Sequence, residues 1–272
     1  MKHFSRIYIG LIFGILYIPI LTLIVFSFNA ANSTAVFTGF SLRWYVELFR
    51  SPETFAALRN SLILAVLSAL ISTVIGTAAA EGIYRMRSRL AKAAINSVTN
   101  IPMMNPDIVT GMSMMLFFVA VAGILGVAYE DMGFFAMLIS HVTFCLPYVI
   151  LSVLPRINEL GDSLFEAALD LGCTPLRAFF TVKLPNIMPG VISGAVMAFT
   201  MSLDDFVISY FVGSSNFQTL PLLIYSMTKK KVTPDMYALS TLIIVTVFVL
   251  LIVSNVRSGK RVGERAKGGK AK

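Results

Sequence analysis

Residues 165–185 read FEAALDLGCTPLRAFFTVKLP, and they lie between two of the most apolar stretches of the chain. The segment has apolar side chains at helical spacing, but it also contains four charged residues, namely Glu166, Asp170, Arg177 and Lys183. A membrane span, by contrast, is a run of about 20 predominantly apolar residues. This segment therefore predicts a folded connection outside the bilayer.

The segment opens with the signals of a short helix. Ser163 and Glu166 form the S-x-x-E pattern of a capping box, which predicts a helix that starts at Leu164. Residues at helical spacing would form one apolar stripe on this helix. The members of that stripe are Leu164, Ala167, Ala168 and Leu171.

A turn and a second short helix follow. Gly172 can adopt the left-handed conformation that ends a helix, and Thr174 and Pro175 are typical of an N-cap followed by proline at the first helical position. We expect Pro185 and Pro189 to end the second helix and to lead into the next span. The sequence thus predicts a compact, rigid unit that could transmit a force from a soluble partner to the spans.

The composition of the chain indicates a membrane protein. Of its 272 residues, 57% are hydrophobic and 13% are charged, whereas typical soluble domains are roughly 25% charged. The net charge of +8 would suggest nucleic acid in a soluble domain, but here the basic residues flank apolar segments, so no nucleic-acid partner is expected. The two cysteines, Cys145 and Cys173, provide neither a disulfide framework nor a metal-ligand cluster.

Six transmembrane helices are predicted from apolar runs of about 20 residues. Their approximate ranges are 7–28, 60–80, 93–122, 132–155, 187–212 and 236–256. A cleaved signal peptide is the alternative for the first range, but its apolar run is longer than the roughly 7–15 residues of such a peptide. Small residues four apart in the fifth range, Gly190, Gly194 and Ala198, predict close helix packing.

The distribution of lysine and arginine predicts the orientation. If the N-terminus lies inside, 16 of the 22 Lys and Arg residues lie in cytoplasmic segments, in keeping with the positive-inside rule. Both termini and the loop at about 156–186 are then cytoplasmic, and the basic tail 257–272 is predicted to be a disordered anchor. We interpret residues 1–272 as a single transmembrane domain.

The longest predicted external segment, 29–59, contains one further helical pattern. Apolar residues share one face of this helix, namely Leu42, Tyr45, Val46 and Phe49. Two interpretations are open. The helix lies at the membrane interface with Trp44 and Tyr45 as aromatic anchors, or it docks an external partner.

The cytoplasmic loop also matches a family pattern. Glu166-Ala167-Ala168, three residues, Gly172, nine residues and Val182-Lys183-Leu184-Pro185 resemble the EAA loop of bacterial ABC importer permeases, whose usual pattern ends in I-x-L-P. The resemblance implies an all-α, polytopic membrane helix bundle of the type I ABC importer permease fold, with a loop that docks in a groove on a separate ATPase. It implies ATPase coupling for Glu166, Ala167, Ala168 and Gly172, with Leu184 and Pro185 as scaffold.

The chain resembles one branch of that family in particular. Segments from the first span to the sixth are similar to the spermidine/putrescine permeases, especially the C-type subunit; they include Tyr17-Ile18-Pro19, Pro106-Asp107-Ile108-Val109, Ser202-Leu203-Asp204-Asp205 and Leu220-Pro221. The resemblance implies the bacterial inner membrane, a heterodimer with a second permease, an ATPase dimer that binds ATP and Mg²⁺, and an external substrate-binding protein. No cofactor is expected in this chain.

A path for cationic polyamines needs carboxylates and aromatic faces. On a continuous helix Ser202, Asp205 and Ser209 share one face, and Asp204 lies about 100° away. We hypothesise that Asp205 faces the path and that Asp204 helps it or braces a neighbouring helix. Hydrogen bonding between helices is the alternative for both residues. Tyr210 is interpreted either as a cation–π partner or as an interface anchor.

Three other sites within the predicted spans have ionisable side chains. Asp107 follows two prolines, and we expect it near mid-membrane, where it either lines the path or satisfies freed backbone groups. Glu81 and Arg85 have the spacing of a helical ion pair at the inner membrane edge. His141 is interpreted as a hydrogen-bonded packing element in preference to a proton relay.

The leading hypothesis is a channel-forming half of an ATP-driven polyamine importer. The sequence has no G-x-x-x-x-G-K-[ST] phosphate loop, so we expect ATP hydrolysis in a partner and no enzyme activity in this chain. One alternative is a permease of the same fold for another small solute. Another is an autonomous secondary transporter, for which inverted repeats would be evidence.

Overall fold

The computed structural model describes residues 2–31, 36–214, 217–230, 236–246, 248–249 and 252, apart from the side chains of residues 2–7 and 230. This part of the chain is helical, with isolated bridges and no strand. The helices are α1 (Lys2–Phe26), α2 (Arg43–Arg50), α3 (Pro52–Arg85), α4 (Arg89–Met104), α5 (Asp107–Leu125), α6 (Gly133–Leu160), α7 (Ser163–Asp170), α8 (Pro175–Ala178), α9 (Leu184–Asp204), α10 (Val207–Val212), α11 (Leu220–Lys230) and α12 (Met236–Thr246). Tyr129–Met132 is a 3₁₀ turn and Phe179–Lys183 a π-helical turn.

The described residues contain five helices that are long and apolar enough to cross a membrane. They are Tyr8–Phe26, Pro52–Arg85, Asp107–Leu125, Tyr129–Leu160 and Pro175–Asp204. The predicted sixth span is represented by α12, and the remainder of that span and the basic tail 257–272 lie largely or wholly outside the described residues. The all-α class and the helix-bundle architecture are confirmed, while the count of six spans and the single domain stay predictions.

The predicted third span, 93–122, is interrupted, as its two prolines indicate. α4 ends at Met104, and α5 begins at Asp107. Asn105 has an extended backbone (φ −77°, ψ 143°), as expected for a residue before proline, and Pro106 has no N–H with which to continue the helix. Asp107 therefore lies in the first turn of a span and not near its middle.

The chain divides into two compact units, of which the first comprises Met1–Arg59 and Leu220–Val249. Its buried core contains Leu48, Ala57, Leu220, Leu223 and Leu239. Trp44 is 6% exposed, and its indole N–H donates to the Asn29 carbonyl at 2.6 Å. The interpretation of Trp44 as an interface anchor is therefore wrong, because this helix turns its tryptophan inward.

The second unit, which includes Asn60–Thr219, contains the loop at 163–185 and the predicted site residues. In it α6 packs along α9, and α5 packs against α10. Side chains from these helices form the core, including Phe118, Ala136, Val149, Val153, Ile157, Ile187, Ala198 and Ile208.

Glycines bring α6 and α9 together, as the small-residue pattern predicts. A Cβ atom on Gly190 would lie 2.8 Å from the Ser152 carbonyl oxygen, and one on Gly194 would lie 3.2 Å from the Val149 Cα atom. The contacted atoms belong to the backbone of α6, so they have little freedom to move aside. The close approach of the two helices therefore depends on the missing side chains.

We predict that Gly190→Ala and Gly194→Ala each lower the thermal unfolding midpoint of the chain in detergent. Overpacking a tight contact costs about 1–3 kcal/mol. Gly82→Ala is the matched control, because nothing lies within 4 Å of a Cβ atom at that position. Equal unfolding midpoints for the three variants would contradict this account of the α6–α9 contact.

Candidate functional site

The turn that follows α7 closes with a Schellman motif. Gly172 has φ +83°, and its N–H donates to the Leu169 carbonyl at 2.8 Å. The Cys173 N–H donates to the Ala168 carbonyl at 3.1 Å. These two bonds satisfy carbonyls that the end of a helix leaves free, and the predicted role of Gly172 as a helix stop is confirmed.

The two helix starts in the loop differ in outcome. α8 begins at Pro175 with Thr174 as an extended N-cap, as predicted. α7 begins at Ser163, and Asp162 occupies its N-cap position without a side-chain cap bond. The predicted capping box is wrong because Gly161 turns the chain at φ +66°, which places Ser163 already inside the helix.

The prolines that were expected to end the second helix lie inside it. The helix runs without a break through α8, the π turn and α9. In the π turn the Leu184 N–H donates to the Phe179 carbonyl, five residues back. We attribute the tolerance of Pro185 to this wider turn, because proline donates no hydrogen bond and its ring crowds the preceding turn. The predicted break at Pro185 and Pro189 is wrong.

The apolar side chains of the loop divide into a buried set and an exposed set. Phe165, Ala168 and Ala178 pack together as a small core between α7 and α8. Four large side chains stay exposed, and we call them the loop surface: Leu164, Leu171, Leu176 and Phe180. The predicted single stripe is wrong because α8 folds back onto α7 and covers Ala168.

The residues assigned to ATPase coupling occupy different positions in this unit. Exposed residues are Glu166, Ala167, Gly172 and Pro185, while Ala168 is buried and Leu184 is half-buried. Glu166, Ala167 and Gly172 belong to α7 and its turn, and Pro185 to the start of α9, so the loop exposes both polar and apolar groups.

Lys183, at the end of the π turn, is completely buried at 0% exposure. Its Nζ lies 2.8 Å from Glu81 Oε1 and 3.8 Å from Asp162 Oδ1. The same ammonium group lies 4.6 Å from the ring centroid of Tyr84 and 5.4 Å from that of Phe165. Lysine is almost never fully buried without a partner, and here two carboxylates and two aromatic faces replace its water.

The predicted ion pair between Glu81 and Arg85 is confirmed, with Arg85 Nε 2.5 Å from Glu81 Oε1. The Arg85 guanidinium also lies 4.8 Å from the ring centroid of Phe165. Sequence reasoning assigned Glu81 to its helical neighbour alone and missed Lys183, which lies 102 residues away along the chain.

A second buried polar group links four helices. His141 on α6 is 1% exposed, with Nδ1 2.8 Å from Ser202 Oγ and Nε2 3.2 Å from Ser209 Oγ. Ser68 Oγ on α3 donates to Ser202 Oγ at 2.8 Å. We call these residues and Asp205 the His141 network. His141 is therefore a hydrogen-bonded packing element, as predicted.

The helix that was expected to contain both aspartates is interrupted at Asp205. α9 ends at Asp204, and Asp205 has an extended backbone (φ −62°, ψ 123°). The Asp205 carboxylate accepts hydrogen bonds from the N–H groups of Ile208 at 3.2 Å and Ser209 at 2.8 Å. Asp205 thus bonds the free N–H groups at the start of α10. Its carboxylate also lies 3.5 Å from Nε2 of His141.

Despite the break, Asp205 keeps the face that the sequence predicts it to share with Ser202 and Ser209, and this face is buried against His141. The Asp205 side chain is 7% exposed, whereas Asp204 is exposed. The sequence from 187 to 212 contains no proline or glycine at the break. Only the capping ability of Asp205 indicates it, because aspartate is among the preferred residues at helix starts.

The other two residues assigned to the substrate path lie on neighbouring helices. Tyr210 on α10 is 46% exposed, and its ring centroid lies 5.5 Å from that of Phe206. Asp107 is exposed in the first turn of α5. α5 meets α10 at Gly111, where a Cβ atom would lie 3.0 Å from the ring of Phe211.

The loop exposes an apolar surface and is connected to the helices of the second unit. Comparisons with known proteins identify the family of the chain. The sequence profile described as "Binding-protein-dependent transport system inner membrane component" matches residues 72–261, which is more than half of the chain. The chain belongs to this family. It is a multi-pass membrane protein, and both the loop and the His141 network except Ser68 lie within the matched residues of this binding-protein-dependent transport component.

Curated relatives of this transport component are polyamine permeases by name. The putrescine transport system permease protein PotI of Escherichia coli strain K12 is 41% identical over 232 residues, which are 85% of this chain and 82% of PotI. The spermidine/putrescine transport system permease protein PotC of the same strain is 39% identical over 243 residues, 89% of each chain.

Solved structures similar to this transport component confirm the predicted ABC importer permease fold. A chain of a bacterial ABC transporter involved in the import of the acidic polysaccharide alginate aligns with a TM-score of 0.77 at 17% identity, over 95% of both chains. A chain of the MetNI methionine ABC transporter aligns with a TM-score of 0.61 at 20% identity, over 77% of this chain and 98% of that one.

We predict that Asp205→Ala lowers the thermal stability of the purified chain more than Asp204→Ala does. Loss of Asp205 leaves buried N–H groups of α10 without acceptors, which costs about 1–3 kcal/mol, whereas Asp204 is exposed. Thermal unfolding in detergent measures both variants. An equal or larger loss for Asp204→Ala would contradict the capping role.

Proposed function

We propose that this chain is a permease subunit of an ATP-driven importer and forms half of the translocation path for polyamines such as spermidine and putrescine. The observation that carries the proposal is the identity of 39–41%, over most of both chains, with relatives named as putrescine and spermidine/putrescine permeases. The loop at 163–185 supports the same conclusion, because it presents an exposed surface suited to a soluble partner.

In this proposal the complex has further subunits. A second permease completes the path, an ATPase dimer hydrolyses ATP with Mg²⁺, and an external protein delivers the polyamine. The excess of basic residues in the predicted inner segments supports a cytoplasmic position for both termini and for the loop. The membrane is the bacterial inner membrane.

The loop surface is the proposed contact with the ATPase. Leu171 is 87% exposed and Leu176 is 73% exposed, which is unusual for large apolar side chains on a polar loop and is typical of an interaction site. Glu166 and the turn at Gly172 lie beside them. The small core beneath keeps α7 and α8 in one rigid unit.

We predict that Leu171→Asp removes the ATPase from the purified complex. Burial of a leucine contributes about 1.5–3 kcal/mol, so its loss together with a buried charge should weaken the contact at least about tenfold. Co-purification of the tagged permease with the ATPase measures the effect.

Leu90→Asp is the matched control. Leu90 is 84% exposed and lies on the same predicted cytoplasmic side, but it is outside the loop. Undiminished ATPase recovery with Leu171→Asp would contradict the assignment of the loop surface. Polyamine transport by this chain alone in liposomes would instead overturn the importer proposal.

The proposed substrate path uses the exposed acidic and aromatic groups of the second unit. Asp204 is the exposed last residue of α9, Tyr210 is half-exposed on α10, and Asp107 is exposed on the adjacent α5. Carboxylates and an aromatic face together suit a flexible cation with several ammonium groups. We assign Asp205 the role of fixing the break that holds Asp204 outward.

We predict that Asp204→Asn reduces spermidine uptake at low substrate concentration by about tenfold or more, since a hydrogen bond to a charged group contributes about 1.5–3 kcal/mol. Uptake of labelled spermidine into proteoliposomes with the complete transporter measures this. Glu159→Gln is the control, because it removes the same single negative charge at an exposed position (66%) on α6. Wild-type uptake by Asp204→Asn would remove Asp204 from the path.

A further inference from the structure

One cluster, centred on the buried Lys183, joins the loop at 163–185 to the helix α3. We call it the Lys183 cluster, and its members are Lys183, Glu81, Tyr84, Arg85 and Phe165. Lys183 and Arg85 both contact the same oxygen, Glu81 Oε1. Both cations also lie against the ring of Phe165. Phe165 of α7 therefore contacts two cations, and both cations bond to one carboxylate, that of Glu81 on α3.

The ion pairs of this cluster fix the positions of its side chains more than they stabilise the fold. The second oxygen of Glu81, Oε2, is buried and has no hydrogen-bond partner among the described residues. Buried ion pairs are often no more stabilising than apolar side chains of the same volume, and a half-bonded carboxylate stabilises less than a fully bonded one. What an apolar cluster could not provide is a directional link between Phe165 and α3.

The cluster contains one of the polar contacts between α3 and the helix that runs through α8, the π turn and α9. Glu81 on α3 bonds to Lys183, at the start of α9, and Ser68 on α3 bonds to Ser202, near the end of α9. Glu81 and Ser68 are roughly 20 Å apart along the helix at 1.5 Å per residue. A displacement that enters at Lys183 is thus applied to a helix that also contacts the His141 network, at Ser68.

We propose that the Lys183 cluster transmits displacement of the loop to α3, and that Lys183 and Glu81 are positioning residues for the coupling of ATP hydrolysis to transport. The inference rests on the proposed function, and it adds residues outside the loop surface. Because the loop surface is exposed and shares no residue with the cluster, whose central Lys183 is buried, the two have separate consequences. Loss of the surface prevents ATPase binding, whereas loss of the cluster leaves the ATPase bound but poorly coupled.

The test compares Lys183→Met and Glu81→Gln with wild type in the complete transporter, reconstituted in liposomes with its binding protein and spermidine. Each variant should retain the bound ATPase and its hydrolysis, while spermidine imported per ATP hydrolysed falls about fivefold or more, the lower end of typical coupling between sites. The double variant should lose no more than either single one, since both remove the same link. Glu159→Gln, which breaks an exposed ion pair on α6, should keep the wild-type ratio.

The ratio of import to hydrolysis separates coupling from folding, because a purely structural role would reduce the amount of complex but not the ratio in the complex that forms. Should a single variant fail to assemble, Lys183→Met with Glu81→Leu provides an apolar replacement and the same comparison. A wild-type ratio in the assembled variants overturns the proposal. If the wild-type chain binds no ATPase at all, the proposed function fails, and the ratio plays no part in that result.

Discussion

In the hydrocarbon of a bilayer, every backbone N–H and C=O group must find its partner within the protein, and this constraint decides how the helices of this chain are interrupted. The break after Asp204 is tolerated because the Asp205 carboxylate accepts from two N–H groups of α10. The π turn at Phe179–Lys183 has the opposite effect, since it keeps one helix continuous through Pro185. The two irregularities lie at the two ends of α9, next to Lys183 and Asp204.

Much of the fold follows from patterns that are local in the sequence. Apolar runs of span length predict the helices, and Gly172 and Pro175 predict the turn within the loop, because their effect on the backbone needs no distant partner. Predictions failed where a distant partner or an unusual turn overrides a local rule. Proline normally ends a helix, but the π turn accommodates Pro185, and the apparent capping box at Ser163 yields to the turn at Gly161.

The site was less predictable, since its contacts join residues far apart in the chain. Glu81 and Arg85 could be paired from their spacing, but the contact of Glu81 with Lys183 spans 102 residues, and that of Ser68 with Ser202 spans 134. Helical periodicity placed Asp205 on one face with Ser202 and Ser209, but it could not show that this face meets His141 on another helix. A signal was present nonetheless, since Asp205 followed by Phe206 and Val207 resembles a capping residue before an apolar helix.

The continuous helix α8–α9 explains why the two candidate regions belong to one mechanism. Lys183 and Asp204 stand at the two ends of α9, whose 21 residues extend over roughly 31 Å, close to the thickness of the hydrocarbon core. The contacts of α9 with α6 leave little free space, because Gly190 and Gly194 lie against backbone. A displacement of the loop therefore cannot be absorbed by compressing this contact, since packed interiors respond by shifting as units. In the proposed importer, the end of α9 with Asp204 follows the end with Lys183, and this rigidity is the physical means by which the ATPase would move a carboxylate in the membrane.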